Sequence, residues 1–119
     1  MDCPLTAAFA AVGGKWKLTL IYWLGREPHH FAGLQRRATS ISHKVLTEQL
    51  RELEADGIIL RAPLGAVPAP VRYVLTDYGR TLLPVVEGVR VWGLGHLERM
   101  RSLNPASPAQ PGCAVPLEP

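Results

Sequence analysis

Hydrophobic positions along this chain change their period several times, and each change marks an element. In residues 4–12, PLTAAFAAV, Leu5, Phe9 and Val12 recur at i, i+4 and i+7. That spacing predicts a short helix with Pro4 at its first turn, where a missing N–H costs nothing. Gly13-Gly14 ends it. Lys15 to Leu24, KWKLTLIYWL, is apolar on almost every side, which predicts a helix buried from more than one direction. Trp16, Leu20 and Trp23 form one face, and Leu18, Ile21 and Tyr22 much of the rest. In so small a domain a second copy of the chain is expected to supply part of the cover. Gly25 and Pro28 are expected to stop this helix. His29-His30-Phe31 then predicts a short strand.

The stretch from Phe31 to Gly57, FAGLQRRATSISHKVLTEQLRELEADG, organises the rest. It reads as a short helix anchored by Leu34, a turn at Thr39-Ser40-Ile41-Ser42 with Ile41 inside, and a longer amphipathic helix. Gly33 weakens the first helix by up to about 1 kcal/mol relative to alanine. Ser42 is placed to cap the second, and Gly57 is its expected C′ residue. Winding the residues after Ser42 at about 100° each puts Val45, Leu46, Gln49, Leu50 and Leu53 on one arc. His43, Lys44, Thr47, Glu48 and Arg51 fall on the other. The first arc is a core face. The second sets hydrogen-bonding and charged side chains on the leading turns of an exposed helix face, the layout with which a helix-turn-helix enters the DNA major groove.

Past Gly57 the pattern turns to strands. IILRAPL and VRYVLT are rich in β-branched residues and joined by GAVPAP. Val71, Tyr73 and Leu75 alternate with Arg72 and Val74, the period-2 signal of a half-buried strand. A hairpin directly after such a helix is a wing. Thr76 and Asp77 are expected to cap a last long helix, TDYGRTLLPVVEGVRVWGLGHLERM, kinked at Pro84. Its stripe of Leu82, Val85, Val86, Val89 and Trp92 exceeds what the remaining core can cover. From Ser102 onward the composition is that of a proline-rich disordered tail. The expected division is therefore a domain at 1–101 and a tail at 102–119, with a fold that is mainly α plus a small β-hairpin.

Composition narrows the function. The 119 residues are 47% hydrophobic, ordinary for one folded domain. No apolar run approaches the ~20 residues a membrane span needs, and nothing at the N-terminus resembles a signal peptide; a cytoplasmic location and no membrane partner are expected. The net charge of +3 and pI of about 9.2 suit a polyanionic partner. Lys15, Lys17, Arg36, Arg37, Lys44, Arg51, Arg61 and Arg72 all lie in the first three-fifths of the chain. Glu52, Glu54 and Asp56 gather at the far end of the reading helix. Cys3 and Cys113 sit at opposite ends, with no disulfide framework and no histidine at zinc-ligand spacing; no metal and no cofactor are expected. His29, His30, His43 and Asp77 are too dispersed for a catalytic relay, and no phosphate-cradling glycine loop is present, so an enzyme is not expected.

Four blocks together resemble the HxlR-type winged helix-turn-helix transcriptional regulators of bacteria. They are Cys3-Pro4; Gly13-Gly14-Lys15-Trp16; ISHKVLTEQLRELEADGII; and Tyr73-x-Leu-Thr-x-x-Gly79 leading into Leu83-Pro84-Val85 and Trp92-Gly93. The resemblance covers about residues 2–100, and the third block is the most specific. It implies a homodimer joined through its N- and C-terminal helices, on a (pseudo)palindromic operator in double-stranded DNA. It also implies a wing beside the reading helix and, in several members, sensing of electrophiles or oxidants by a cysteine at the position of Cys3. Two departures stand out: Leu64-Gly65-Ala66, Pro70 and Arg72 replace the acid and arginine usual near the wing tip, and Gly33 replaces an acid.

Base reading is expected from Ser42, His43, Lys44, Thr47, Glu48 and Arg51. Lys44 or Arg51 can donate to guanine, and Thr47 can pack on a thymine methyl. Glu48 either accepts from cytosine N4 or pairs with Lys44 or Arg51 along the helix. Phosphate contacts are expected from Lys15, Lys17, Arg36, Arg37 and Arg72. Phe9, Trp16, Trp23, Val89 and Trp92 are expected at the dimer interface. Control is expected either from thiol chemistry at Cys3 with a small electrophile or oxidant, or from an apolar effector between Trp16, Trp23 and Trp92. The rival reading is a winged-helix protein–protein module without sequence-specific DNA binding.

Overall fold

The first and last helices each send one buried residue, Val12 and Val86, into the core that the elements between them form. The computed structural model describes residues 3–63 and 71–103. In order these form α1 (Pro4–Val12), α2 (Lys17–Arg26), α3 (Phe31–Arg37), α4 (His43–Ala55), β1 (Ile59–Pro63), β2 (Val71–Leu75), α5 (Asp77–Arg80) and α6 (Leu83–Leu103). The strands pair antiparallel with Ile59 opposite Leu75 and Arg61 opposite Tyr73. His29 adds a single bridge to Tyr73, so the strand expected at residues 29–31 reduces to one residue and Phe31 already belongs to α3. The expected wing tip, residues 64–70, lies outside the described residues. So does the tail from residue 104; α6 itself continues through Ser102 to Leu103.

Leu20, Ile21, Leu34, Leu46, Leu53, Ile58 and Ile59 are fully buried at the centre, with Leu50 and Leu24 beside them. Leu46, Leu50 and Leu53 come from the arc read off α4, and Ile41 is buried in the turn before it. That turn passes through Ser40 at φ +76°, a left-handed conformation uncommon for a residue other than glycine. Ser42 Oγ accepts from the Val45 N–H at 3.1 Å and caps α4. At the other end the Ile58 N–H donates to the Leu53 carbonyl and the Gly57 N–H to that of Glu54, each at 3.0 Å. With Gly57 at φ +74°, this is a Schellman close. It turns the chain straight into β1 and so fixes the hairpin against α4.

The last helix departs from expectation. Thr76 caps the four-residue α5, its hydroxyl accepting from the Gly79 N–H at 2.9 Å. The same hydroxyl donates to the Gly57 carbonyl at 2.6 Å. The chain then breaks at Thr81-Leu82 and restarts as α6. Pro84 therefore makes no mid-helix kink; it occupies the first turn of α6, where it displaces no hydrogen bond. Gly25 likewise does not end α2, which runs through it to Arg26: a glycine inside a helix costs only about 1 kcal/mol, and the Leu83 side chain packs where its Cβ would be. The N-terminal boundary shifts from Lys15 to Lys17.

Candidate nucleic-acid interface

Ser42, His43, Lys44, Glu48 and Arg51 are exposed on α4, and Thr47 is half-buried. They divide into two rows. His43, Thr47 and Arg51 line a groove of about 360 Å³ whose other walls are Phe31, Leu50, Glu54, Arg61 and Tyr73. Lys44 and Glu48 lie outside that groove on the open face. The Thr47 hydroxyl donates to the His43 carbonyl at 2.8 Å, so it is already engaged within the helix. The His43 ring rests against Phe31, centroids 4.6 Å apart. Among the described residues Glu48 has no ion-pair partner, so the pairing with Lys44 or Arg51 is not formed.

Arg61 was not among the expected contacts. Its place in the groove follows from strand register, which sets it opposite Tyr73 and 3.6 Å from Glu54 of α4. A lone arginine early in the first wing strand was the available signal. Both partners are substantially exposed, so the pair is worth little and can open.

The phosphate set changes. Lys15 is exposed, with its ammonium 4.9 Å from the Trp16 ring centroid. Arg36 and Arg37 are exposed at the end of α3, and Arg37 lies over Trp23 at 4.5 Å. Arg72 is half-buried on β2. Lys17 is the correction. Its residue is 5% exposed, and its Nζ is 2.7 Å from Glu52 Oε1, so its charge points into the protein and is already satisfied. The signal was a single cation inside an otherwise apolar helix, which needs a partner when buried.

The expected interface residues also separate. Phe9 on α1 and Trp92 on α6 are each 69% exposed, and Val89 is 50% exposed. Trp16 is half-buried against the core. Trp23 is 7% exposed; it belongs to the protomer's own core and cannot present a face to a second copy. Trp23 shares a surface cleft with Gly25, Arg26, Glu27, His29 and Arg37. Between α2 and α6 a cleft of about 140 Å³ is lined by Leu18, Thr19, Tyr22, Val86, Val89 and Arg90.

Cys3 is exposed and takes the N-cap position of α1. Its side chain forms no capping hydrogen bond, yet the nearby Thr6 N–H, the Thr6 hydroxyl and the Leu5 N–H favour the thiolate and lower the thiol's pKa. No helix of the described residues is long and apolar enough to cross a membrane.

A family model, HxlR-like helix-turn-helix, matches residues 11–101. The chain belongs to the HxlR-like helix-turn-helix family. It is 43% identical over 94 residues to the HTH-type transcriptional regulator BH0655 of Halalkalibacterium halodurans, covering 78% of this chain and 83% of that protein. To the HTH-type transcriptional regulator YdeP of Bacillus subtilis it is 39% identical over 108 residues, covering 91% and 84%. Among solved structures it is similar to the redox regulator HypR in its reduced form, with TM-score 0.77 and 40% identity over 84% of this chain and 99% of that one. For HypR in its oxidized form the TM-score is 0.73 and the identity 44%, over 76% and 94%. This HxlR-like chain is a transcriptional regulator of the helix-turn-helix type, built as a winged helix.

Proposed function

We propose that this regulator binds a (pseudo)palindromic operator as a homodimer, with α4 reading bases in the major groove and the hairpin lying alongside. The observation that carries the reading is the exposed polar face of α4, on whose leading turns Glu48 is the one acid among His43, Lys44, Thr47 and Arg51. Of the acids further along, Glu52 is paired with Lys17, and Glu54 borders the groove in an exposed pair with Arg61. The same basic and polar face argues against a protein–protein module, whose contact helix would present apolar anchors. Lys15, Arg36, Arg37 and Arg72 serve as phosphate contacts, each releasing roughly one counterion.

Base contacts and phosphate contacts fail differently when removed. Thr47→Ala and Arg51→Ala are expected to weaken operator binding by about 1–3 kcal/mol each while leaving random DNA nearly unchanged. Lys15→Ala is expected to weaken both equally and to flatten the salt dependence. Titrations of operator and scrambled duplex at several salt concentrations read both effects. Equal losses on the two duplexes from Thr47→Ala and Arg51→Ala contradict base reading.

The dimer is supported by what each end leaves uncovered. Every residue of α1 from Pro4 to Ala10 is exposed, and a nine-residue helix is too short to hold itself in water. Its Leu5 and Phe9, with Val85, Val89 and Trp92 on α6, form apolar surface that a second copy covers.

Thiol control is the favoured form of regulation, because Cys3 is accessible and its environment favours the reactive thiolate. HypR is named a redox regulator. The thiolate either adds to an electrophilic carbon or attacks a peroxide oxygen, giving a sulfenic acid and releasing hydroxide. An apolar effector at the interface is less favoured, since Trp23, one of its three expected walls, is buried in the protomer's own core. A quinone or peroxide is expected to release the operator from the native chain and not from Cys3→Ser. Equal release from both removes Cys3 from the mechanism.

A further inference from the structure

We infer that the Lys17–Glu52 pair is a positioning contact: it fixes the roll of α4 relative to α2 and so sets which half-site spacing the dimer accepts. The inference rests on the DNA-reading role proposed above. Lys17 lies at the start of α2 with its side chain 6% exposed, while that of Glu52 is 56% exposed. Burying an ammonium is costly, and a hydrophobic side chain of similar length in its place is often at least as stable. Stability alone therefore gives little reason for a charge at this place. Direction does.

Most of the rest of the attachment of α4 is apolar, the exceptions being the exposed Glu54–Arg61 pair and the His43 ring against Phe31. Leu46, Leu50 and Leu53 enter the core, and α4 packs chiefly on β1, whereas α2 packs on α6 and β2. Burial of apolar surface is non-directional; it sets which face of the helix turns inward and leaves the finer roll about its axis to directional contacts. A charge-assisted hydrogen bond at 2.7 Å is directional. Contacts then run from the exposed face of α6, through α2, to Lys17, Glu52 and the reading helix. One base pair rotates the duplex by about 34°, so a modest roll of α4 in each protomer is enough to spoil the match of two half-sites. Glu54–Arg61 cannot do the same work, because it is longer, exposed on both sides and points to the wing.

The test uses the full chain and the operator that the native protein selects. Variants with one base pair added or removed between half-sites, and a single half-site duplex, complete the set. Lys17→Met is expected to melt at or above the native temperature and to keep half-site affinity within about twofold. On the native operator it is expected to bind about tenfold more weakly, with its preference for the native spacing reduced to about twofold or less. Glu52→Gln, made on a half-exposed side chain, retains an oxygen acceptor for Lys17 and is expected to fall between. The inference is overturned if a folded Lys17→Met binds every spacing as the native chain does. If Lys17→Met fails to fold, native spacing preference in Glu52→Gln overturns it equally. A native chain that selects no operator defeats the proposed function itself; a native chain that does, with variants matching it, defeats only the role of this pair.

Discussion

Replacing Phe9 and Trp92 together by glutamate is expected to leave each protomer folded, to give monomers at micromolar concentration and to weaken operator binding by about a hundredfold or more. Both side chains are 69% exposed in the protomer, so a charge there removes little from its core. In the proposed dimer the same positions are buried, and an unpaired carboxylate in an apolar interface is strongly disfavoured. Two linked reading heads bind one operator with the advantage of effective concentration, which commonly amounts to two to four powers of ten. Separating them forfeits it. Sedimentation equilibrium paired with operator titration reads both parts. A doubly substituted chain that stays dimeric places the contact on some other surface.

Gly79→Ala is expected to destabilise the fold by about 3 kcal/mol, at the upper end for overpacking. A Cβ at Gly79 would run into the carbonyl oxygen of Ile58 and come within 3.0 Å of its carbon. That carbonyl is backbone and cannot swing aside. It also accepts the Thr76 N–H at 3.0 Å and lies 3.1 Å from the Thr76 hydroxyl. Relieving the clash would pull α5 off the start of β1 and disturb the Schellman close that sets the wing beside α4. For a domain of this size the loss corresponds to a fall in Tm of about 12–20 °C. A fall below about 3 °C in a thermal melt would mean that this junction yields at little cost.

Helix α4 was legible because several local signals agreed on it. Ser42 caps it, the leucines at 46, 50 and 53 line one arc, and Gly57 closes it with a positive φ. The hairpin was legible from its period-2 strands. What failed depended on partners distant in sequence. An all-round apolar helix announces burial and does not say by what, so Trp23 was assigned to a second copy when Arg37 and the protomer core cover it. Lys17 read as surface charge because Glu52, on another helix, satisfies it. Pro84 read as a kink because the apolar pattern runs unbroken across Thr81-Leu82, where the backbone stops one helix and begins another. Arg61 reached the groove only through strand register.

Selection of bound duplexes from a random pool, followed by sequencing and by the mass of the complex formed, asks the decisive question. Two protomers reading one duplex require inverted half-sites about 10–10.5 base pairs apart or a multiple of that, with two chains on each selected fragment. A bound pool no richer in any motif than the input, or one undivided site held by a single chain, would contradict a dimeric reader of DNA sequence.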